Sequence, residues 1–194
     1  MGGQYFSNAG VFLIETLVGL YCAAFMLRFL LQVARADFYN PFSQFLVKVT
    51  NPLLKPVRKL IPGLGGIDWA SIVVLFGLKI GQVLLIGLLP RYSIPEVPGL
   101  VILASAELLS LLINIYIFAI IIQAVISWIN PGTYNPIIGL LHQLTAPLLN
   151  PARRMLPPIS GLDLSPMLVI IVLYLITLLF IHPLTDLGRQ LSMH

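Results

Sequence analysis

Residues 39–68 read YNPFSQFLVKVTNPLLKPVRKLIPGLGGID, and residues 134–163 read YNPIIGLLHQLTAPLLNPARRMLPPISGLD. Aligned without a gap at an offset of 95, the two stretches share 13 of 30 positions, where chance gives about two. The shared residues include Tyr39-Asn40-Pro41, Pro52-Leu53-Leu54, Pro56, Arg58, Pro62, Gly66 and Asp68, which recur as Tyr134-Asn135-Pro136, Pro147-Leu148-Leu149, Pro151, Arg153, Pro157, Gly161 and Asp163. The chain is therefore a tandem duplication, and the fold follows from one copy. In each copy Asn-Pro is a helix start, with Asn as N-cap and Pro at the first helical position. Phe42, Phe45, Leu46 and Val49, and then Ile137, Leu140, Leu141 and Leu144, recur at i, i+3, i+4, i+7 and mark one apolar helical face. Asn51-Pro52 and Ala146-Pro147 are expected to end that helix. Pro56 and Pro151 would start a further short turn, closed by Pro62 and Pro157. Asp68 and Asp163 then fall where the next segment begins, placed to cap free backbone N–H groups.

Outside the repeated stretch the chain is apolar. Of 194 residues, 58% are hydrophobic and 9% charged, with mean hydropathy +0.97. A soluble domain carries about a quarter charged residues, so a soluble globular protein, a secreted mini-protein and a disordered chain are all excluded. Four runs, about 11–33, 69–89, 100–129 and 166–184, meet the roughly 20 apolar residues that a hydrocarbon core requires. The first is not read as a cleavable signal peptide, since no Lys or Arg precedes it and no small-residue cleavage site follows. The third is a tilted span or one with an interfacial extension. Cys22, the one cysteine, lies within an apolar run and offers neither a disulfide framework nor a cysteine metal cluster.

The basic residues set the orientation. Arg35, Lys48, Lys55, Arg58 and Lys59 lie between the first two spans, and Arg153 and Arg154 between the last two; Arg91 and Arg189 are on the other side. The positive-inside rule puts the two basic loops in the cytoplasm and both termini outside. The loop helices are too short to span, so they are expected to lie in the interface with Lys48, Arg58, Lys59, Arg153 and Arg154 toward water. There they face anionic headgroups, worth about 1 kcal/mol per charge near the surface.

The expected fold is all-α and polytopic: four transmembrane helices in two parallel repeats, residues 1–95 and 96–194, each a span, an amphipathic interfacial helix and a span. Parallel repeats occur in carriers, although inverted ones are common there. Tandem span–loop–span units also occur in cation channels, but no TVGYG-like filter is present and the loops are basic. Four helices enclose little space, so a pore would need oligomers.

The residues that recur also resemble those of the YggT (YlmG) family, small bacterial and chloroplast membrane proteins with one or two copies of this unit. The second copy carries the pattern best: Ser127-Trp128, Asn135-Pro136, Thr145 through Arg154, Pro157, and Gly161-Leu162-Asp163-Leu164-Ser165-Pro166. The first departs from it, with Gln32-Val33 for Ser-Trp and Asp68-Trp69-Ala70-Ser71 for Asp-Leu-Ser-Pro. The resemblance implies association with osmotic-shock resistance and potassium uptake in bacteria, and with cytochrome b6 haem attachment or nucleoid organisation in chloroplasts. It supplies no catalytic residue.

Glu15, Arg28, Lys79 and Glu107 lie within spans, where an ionisable group is costly unless paired or wet. Matching depth suggests that Lys79 pairs with Glu107 or with Glu15, either as a helix-locking pair or as part of an ion or proton path. Arg28 is close to the loop boundary and is read as snorkelling. His142 and His182 fall on opposite sides, so no shared haem or metal is expected, and no cofactor. Trp69, Tyr92, Trp128 and Tyr134 are read as interfacial anchors. Ser105, Ser110 and Asn114 are candidates for interhelical hydrogen bonds, and Gly77-xxx-Gly81 for close helix packing.

There is no GxSxG, HExxH, P-loop or GxGxxG, so no enzyme is expected. The basic Pro-rich segments with Lys55, Arg58, Lys59, Arg153 and Arg154 are the best functional candidate. They suit a bacterial inner-membrane assembly, scaffold or osmotic-stress factor that docks anionic lipid or a membrane-protein partner, with no direct role for nucleic acid and with homo-oligomers allowed. The alternative is an oligomeric potassium or proton transport component using Glu15, Lys79 and Glu107.

Overall fold

The computed structural model describes residues 2–63, 65–90, 92–129, 135–156 and 163–192. These form seven α-helices: α1 (Gly2–Val33), α2 (Pro41–Leu60), α3 (Trp69–Gly87), α4 (Val97–Ile129), α5 (Pro136–Met155), α6 (Ser165–Ile176) and α7 (His182–Gln190). A π-helical turn, Thr177–Ile181, joins α6 to α7 without a break. Pro183 explains that turn, because it has no N–H for the carbonyl four residues back and the helix opens before it. No strand is present among the described residues.

Four segments are long and apolar enough to cross a membrane: Tyr5–Val33, Trp69–Gly87, Val97–Ser127 and Ser165–Gln190. The first and last extend past the expected limits, since the chain stays helical before Val11 and beyond Leu184. The third is one unbroken helix of 33 residues. At 1.5 Å per residue it is about 50 Å long, well over the roughly 30 Å of a hydrocarbon core. The outward side chains of these segments are mostly apolar, Phe12, Leu17, Phe118, Leu179 and Phe180 among them. Such a surface has hydrocarbon as its natural solvent, and the protein is a membrane protein.

Cross-chain contacts give the layout. At one end Ser7 Oγ donates to Pro90 O at 2.8 Å, and α7 lies against the start of α4. A Cβ on Gly99 would stand 2.8 Å from Gly188 O, and one on Gly188 would stand 2.9 Å from Leu103 Cγ. At the other end Asn40 Nδ2 donates to Pro136 O at 2.8 Å, and Asp37 N to Gln143 Oε1 at 2.9 Å. Both repeat loops therefore share one end of the bundle, as parallel repeats require. Two apolar clusters fill it. One gathers Cys22, Phe25, Leu30, Leu54 and Leu75 with Leu108, Leu140 and Leu144; the other gathers Ile113, Ile120, Leu149, Val169, Leu173 and Ile181. Leu112 and Tyr116 of α4 pack against both.

The loop helices start at Asn-Pro. Asn40 Oδ1 accepts from Phe42 N and Asn135 Oδ1 from Ile137 N, each at 2.9 Å. Their ends correct the expectation. Pro52 and Pro56 lie inside α2, and Pro147 and Pro151 inside α5, with no second short helix among the described residues. Four-residue spacing puts each proline pair on one side of its helix, so the lost ladder bonds are confined there. The buried stripe of α2 is Ser43, Leu46, Thr50 and Leu54. Of the expected apolar face Leu46 joins this stripe, as Leu140 and Leu144 do in α5, whereas Phe42 and Phe45 are exposed.

Two further expectations fail on geometry. A Cβ on Gly77 or Gly81 would meet nothing within 4 Å. The inward face of α3 is Ala70, Ser71, Val74, Leu75, Lys79 and Gln82, and the GxxxG pair makes no close packing among the described residues. Ser105 Oγ donates to Val101 O at 2.7 Å, and Asn114 Nδ2 to Ser110 Oγ at 3.4 Å. Both bonds stay within α4 rather than joining helices.

Candidate functional site: the loop-end clusters

Each repeat ties the end of its loop helix to the start of the following span. Arg58, in the last turn of α2, bonds both carboxylate oxygens of Asp68. Ser71 Oγ donates to Asp68 Oδ2 at 2.6 Å. One copy later, Arg153 Nε donates to Asp163 Oδ2 at 2.9 Å, and Asp163 Oδ1 accepts from Ser165 N at 2.9 Å. Asp163 thus caps a backbone N–H at the start of α6. Asp68 differs from expectation: no capping hydrogen bond from its side chain to α3 is formed, and the carboxylate is engaged by Arg58 and the Ser71 hydroxyl. Burial pushes the Asp68 carboxyl up, yet Arg58 and Ser71 together hold it below the usual carboxylate range. Burial likewise opposes the Asp163 charge, and Ser165 and Arg153 bring it below that range. The Asp68 side chain is 4% exposed, against 36% for Asp163.

A second repeated feature lies one layer deeper. Arg28 of α1 is 5% exposed; it does not snorkel but enters α2. Its Nη1 donates to Thr50 Oγ1 at 2.5 Å, Asn51 Oδ1 at 3.0 Å and Val47 O at 3.4 Å. These three bonds, all to α2, and the burial of the side chain replace the expected snorkelling. Gln123 of α4 occupies the equivalent place 95 residues on. It bonds Thr145 Oγ1 and, through Nε2, His142 Nδ1 at 2.9 Å. Thr50 and Thr145 are fully buried; the Thr50 hydroxyl donates to Leu46 O, and the single Thr145 proton has Gln123 Oε1 and Leu141 O as alternative acceptors. Arg28, Gln32, Phe38, Val47, Arg58, Gly63 and Asp68 line a cleft of about 500 Å³.

Above these contacts Lys48, Lys55, Arg58 and Lys59 of α2 and Arg153 and Arg154 of α5 are exposed, whereas the opposite faces of the same helices are buried. The two loop helices thus present cations outward from one end of the bundle. Such a face attracts anionic groups, with a strength that falls with ionic strength.

Midway along the spans, Lys79 Nζ lies 3.0 Å from Glu107 Oε2 and 3.1 Å from Gln82 Oε1. The Lys79 side chain is 11% exposed and that of Glu107 42%. Glu15 is exposed and forms no ion pair among the described residues. His142 is in the loop layer and His182 begins α7. Among the described residues no group of three or more His, Cys, Asp or Glu side chains is placed to hold a metal. Arg91, Tyr134 and Pro157 lie outside the described residues, as does the side chain of Trp128. Sequence reasoning missed Gln32, Thr50, Ser71, Gln82, Gln123 and Thr145. Extending the 95-residue register into the spans pairs Arg28 with Gln123 and would have exposed the deeper layer.

The CCB3/YggT family profile matches twice, at residues 7–89 and 102–184, at the spacing of the internal repeat. The chain is 42% identical over 190 residues to an uncharacterized protein of Pseudomonas aeruginosa, covering 96% of each chain. It is 40% identical over 186 residues to the uncharacterized protein YggT of Escherichia coli K12, covering 95% of each. A shorter match, 39% over 61 residues, is to YlmG homolog protein 2, chloroplastic, of Arabidopsis thaliana; it covers 31% of this chain and 24% of that one. No solved structure matches.

Proposed function

The chain belongs to the CCB3/YggT family, and we propose that it is a non-enzymatic inner-membrane protein acting through its basic loop end. On this reading the loop end faces the cytoplasm, both termini lie outside, and Lys55, Arg58, Lys59, Arg153 and Arg154 dock a membrane-protein partner against anionic headgroups. The protein then serves membrane-complex assembly or the osmotic response. One observation carries the reading: both repeats hold an outward cationic helix end by the same Arg–Asp tie, Arg58–Asp68 and Arg153–Asp163. A topology signal needs only charge in the loop, whereas a tied helix end presents that charge in a fixed place. The test is Arg153→Gln with Arg154→Gln. Loss of the partner with topology reporters unchanged supports docking; loss of topology alone reduces the motif to an orientation signal.

The Lys79–Glu107 contact supports a second reading, an oligomeric potassium or proton transport component. Purified protein in liposomes separates the two. A flux abolished by Lys79→Met favours transport, and a flux-silent protein favours assembly.

A further inference from the structure

Arg28 is a buried cation whose hydrogen bonds all go to neutral oxygens. Its three acceptors are a backbone carbonyl, a hydroxyl and a side-chain amide. No carboxylate among the described residues lies within ion-pair distance of it. A buried guanidinium gains hydrogen bonds from such oxygens but no compensating charge, and a desolvated charge without a counterion is costly. Among the described residues the only carboxylate lining the adjoining cleft, Asp68, is already engaged by Arg58 and Ser71. Two arginines against one aspartate leave the cleft with a net charge of +1. Nε and Nη2 of Arg28 donate to nothing among the described residues, and the Gln32 amide adds a further donor at the wall. At about 500 Å³ the cleft has the size of an ordinary small-ligand site.

The second repeat is the internal control. It holds its threonine with neutral Gln123, and Arg153 is balanced by Asp163. The scaffold therefore does not need a cation at this position, and the charge in the first copy calls for a separate cause.

We propose that the Arg28–Gln32–Arg58 cleft binds one phosphate oxyanion, with the Arg28 guanidinium as its charge partner. Arginine suits this ligand because its planar fork pairs two donors with two phosphate oxygens. The phosphate comes from the headgroup of an anionic lipid or from free phosphate in the aqueous phase. The proposal deepens the loop-end reading and rests on it through Arg58.

The test uses the full chain in detergent. Native mass spectrometry measures retention of phosphatidylglycerol against phosphatidylcholine, and thermal melts follow titration with inorganic phosphate. The expected result is one retained phosphatidylglycerol per chain, at least tenfold preferred over phosphatidylcholine, and a loss of at least tenfold in Arg28→Gln. A phosphate-dependent rise in Tm that vanishes in Arg28→Gln, without lipid preference, assigns the site to free phosphate. Should Arg28→Gln fail to fold, Gln32→Glu adds a carboxylate at the wall, leaves the Arg28 hydrogen bonds intact, and is expected to abolish binding of either anion. Binding of neither anion by the native chain, or native-level binding by a folded Arg28→Gln or by Gln32→Glu, overturns the proposal. Arg153→Gln with Arg154→Gln tests partner docking, and the loss of retention caused by Arg28→Gln within that background tests the anion site, so the two failures are read separately.

Discussion

Arg28 Nη1 donates to Thr50 Oγ1 at 2.5 Å, and the residue 95 positions on, Gln123, meets the equivalent Thr145 with the direction reversed, its Oε1 accepting from the hydroxyl. The span before each loop helix therefore carries a polar plug that fits a buried threonine of that helix. The plug fixes how the cationic helix ends are presented. It also predicts which substitutions the site accepts.

Arg28→Gln should be accepted, because Gln123 shows that an amide reaches the same threonine; the expected cost is within about 1 kcal/mol. Arg28→Leu removes the donors for Asn51 Oδ1 and Val47 O and should cost about 1–3 kcal/mol. Thermal unfolding in detergent checks this, and equal Tm values for the two variants would contradict it.

Lys79 and Glu107 tie α3 to α4, and so one repeat to the other. Glu107→Gln leaves a buried ammonium with Gln82 Oε1 as its remaining partner. The half-exposed carboxylate makes the expected loss smaller than for a fully buried pair, about 1–3 kcal/mol. The exchange Lys79→Glu with Glu107→Lys should recover expression lost in either single variant. A double-mutant cycle with no coupling would show that the two side chains do not act as a pair.

The glycines divide into two kinds. Gly99→Ala puts a methyl 2.8 Å from Gly188 O and should separate α4 from α7 at a cost of about 1–3 kcal/mol. Gly77→Ala and Gly81→Ala meet open space and should be neutral or stabilising by up to about 1 kcal/mol through helix propensity. Matched melts of the three variants decide it; a loss at Gly77 or Gly81 equal to that at Gly99 would place those residues in a contact outside the chain.

How much of this was legible in the sequence depends on the spacing of the interacting residues. The duplication, the four spans and the Asn-Pro helix starts rest on local identity and short-range pattern, and they could be read directly. The Arg58–Asp68 tie joins residues ten apart across a helix end, a spacing that no single-helix periodicity marks. The Arg28 plug was hidden because identity between the copies fades in the spans, although the register does not. Pro52 and Pro56 misled as helix ends, since a proline pair at i, i+4 on one face of a packed helix is tolerated where an isolated segment would break.

The lowered Asp68 and Asp163 carboxyls link stability to pH. A folded value below the unfolded one, about 3.9, gives stability that is present above the unfolded value and lost as pH falls through the folded value. Asp68→Asn should cost about 1–3 kcal/mol at neutral pH and flatten the acid limb. Asp163→Asn, at a more exposed pair, should cost about 0–1 kcal/mol. Melts between pH 3 and 7 compare them. An unchanged acid limb in Asp68→Asn would show that Arg58 and Ser71 do not stabilise the carboxylate.

The central claim, that the cationic loop end is the working surface, is tested most directly by site-specific photocrosslinking in native membranes. A photoreactive residue is placed in turn at Lys55, at its exposed counterpart in the second copy, Asn150, and, as a lipid-facing control, at Leu85. The account predicts one defined adduct from Lys55 and Asn150 and none from Leu85, lost when Arg58, Lys59, Arg153 and Arg154 are neutralised with topology unchanged. An adduct that survives neutralisation, or that forms equally from Leu85, would contradict it.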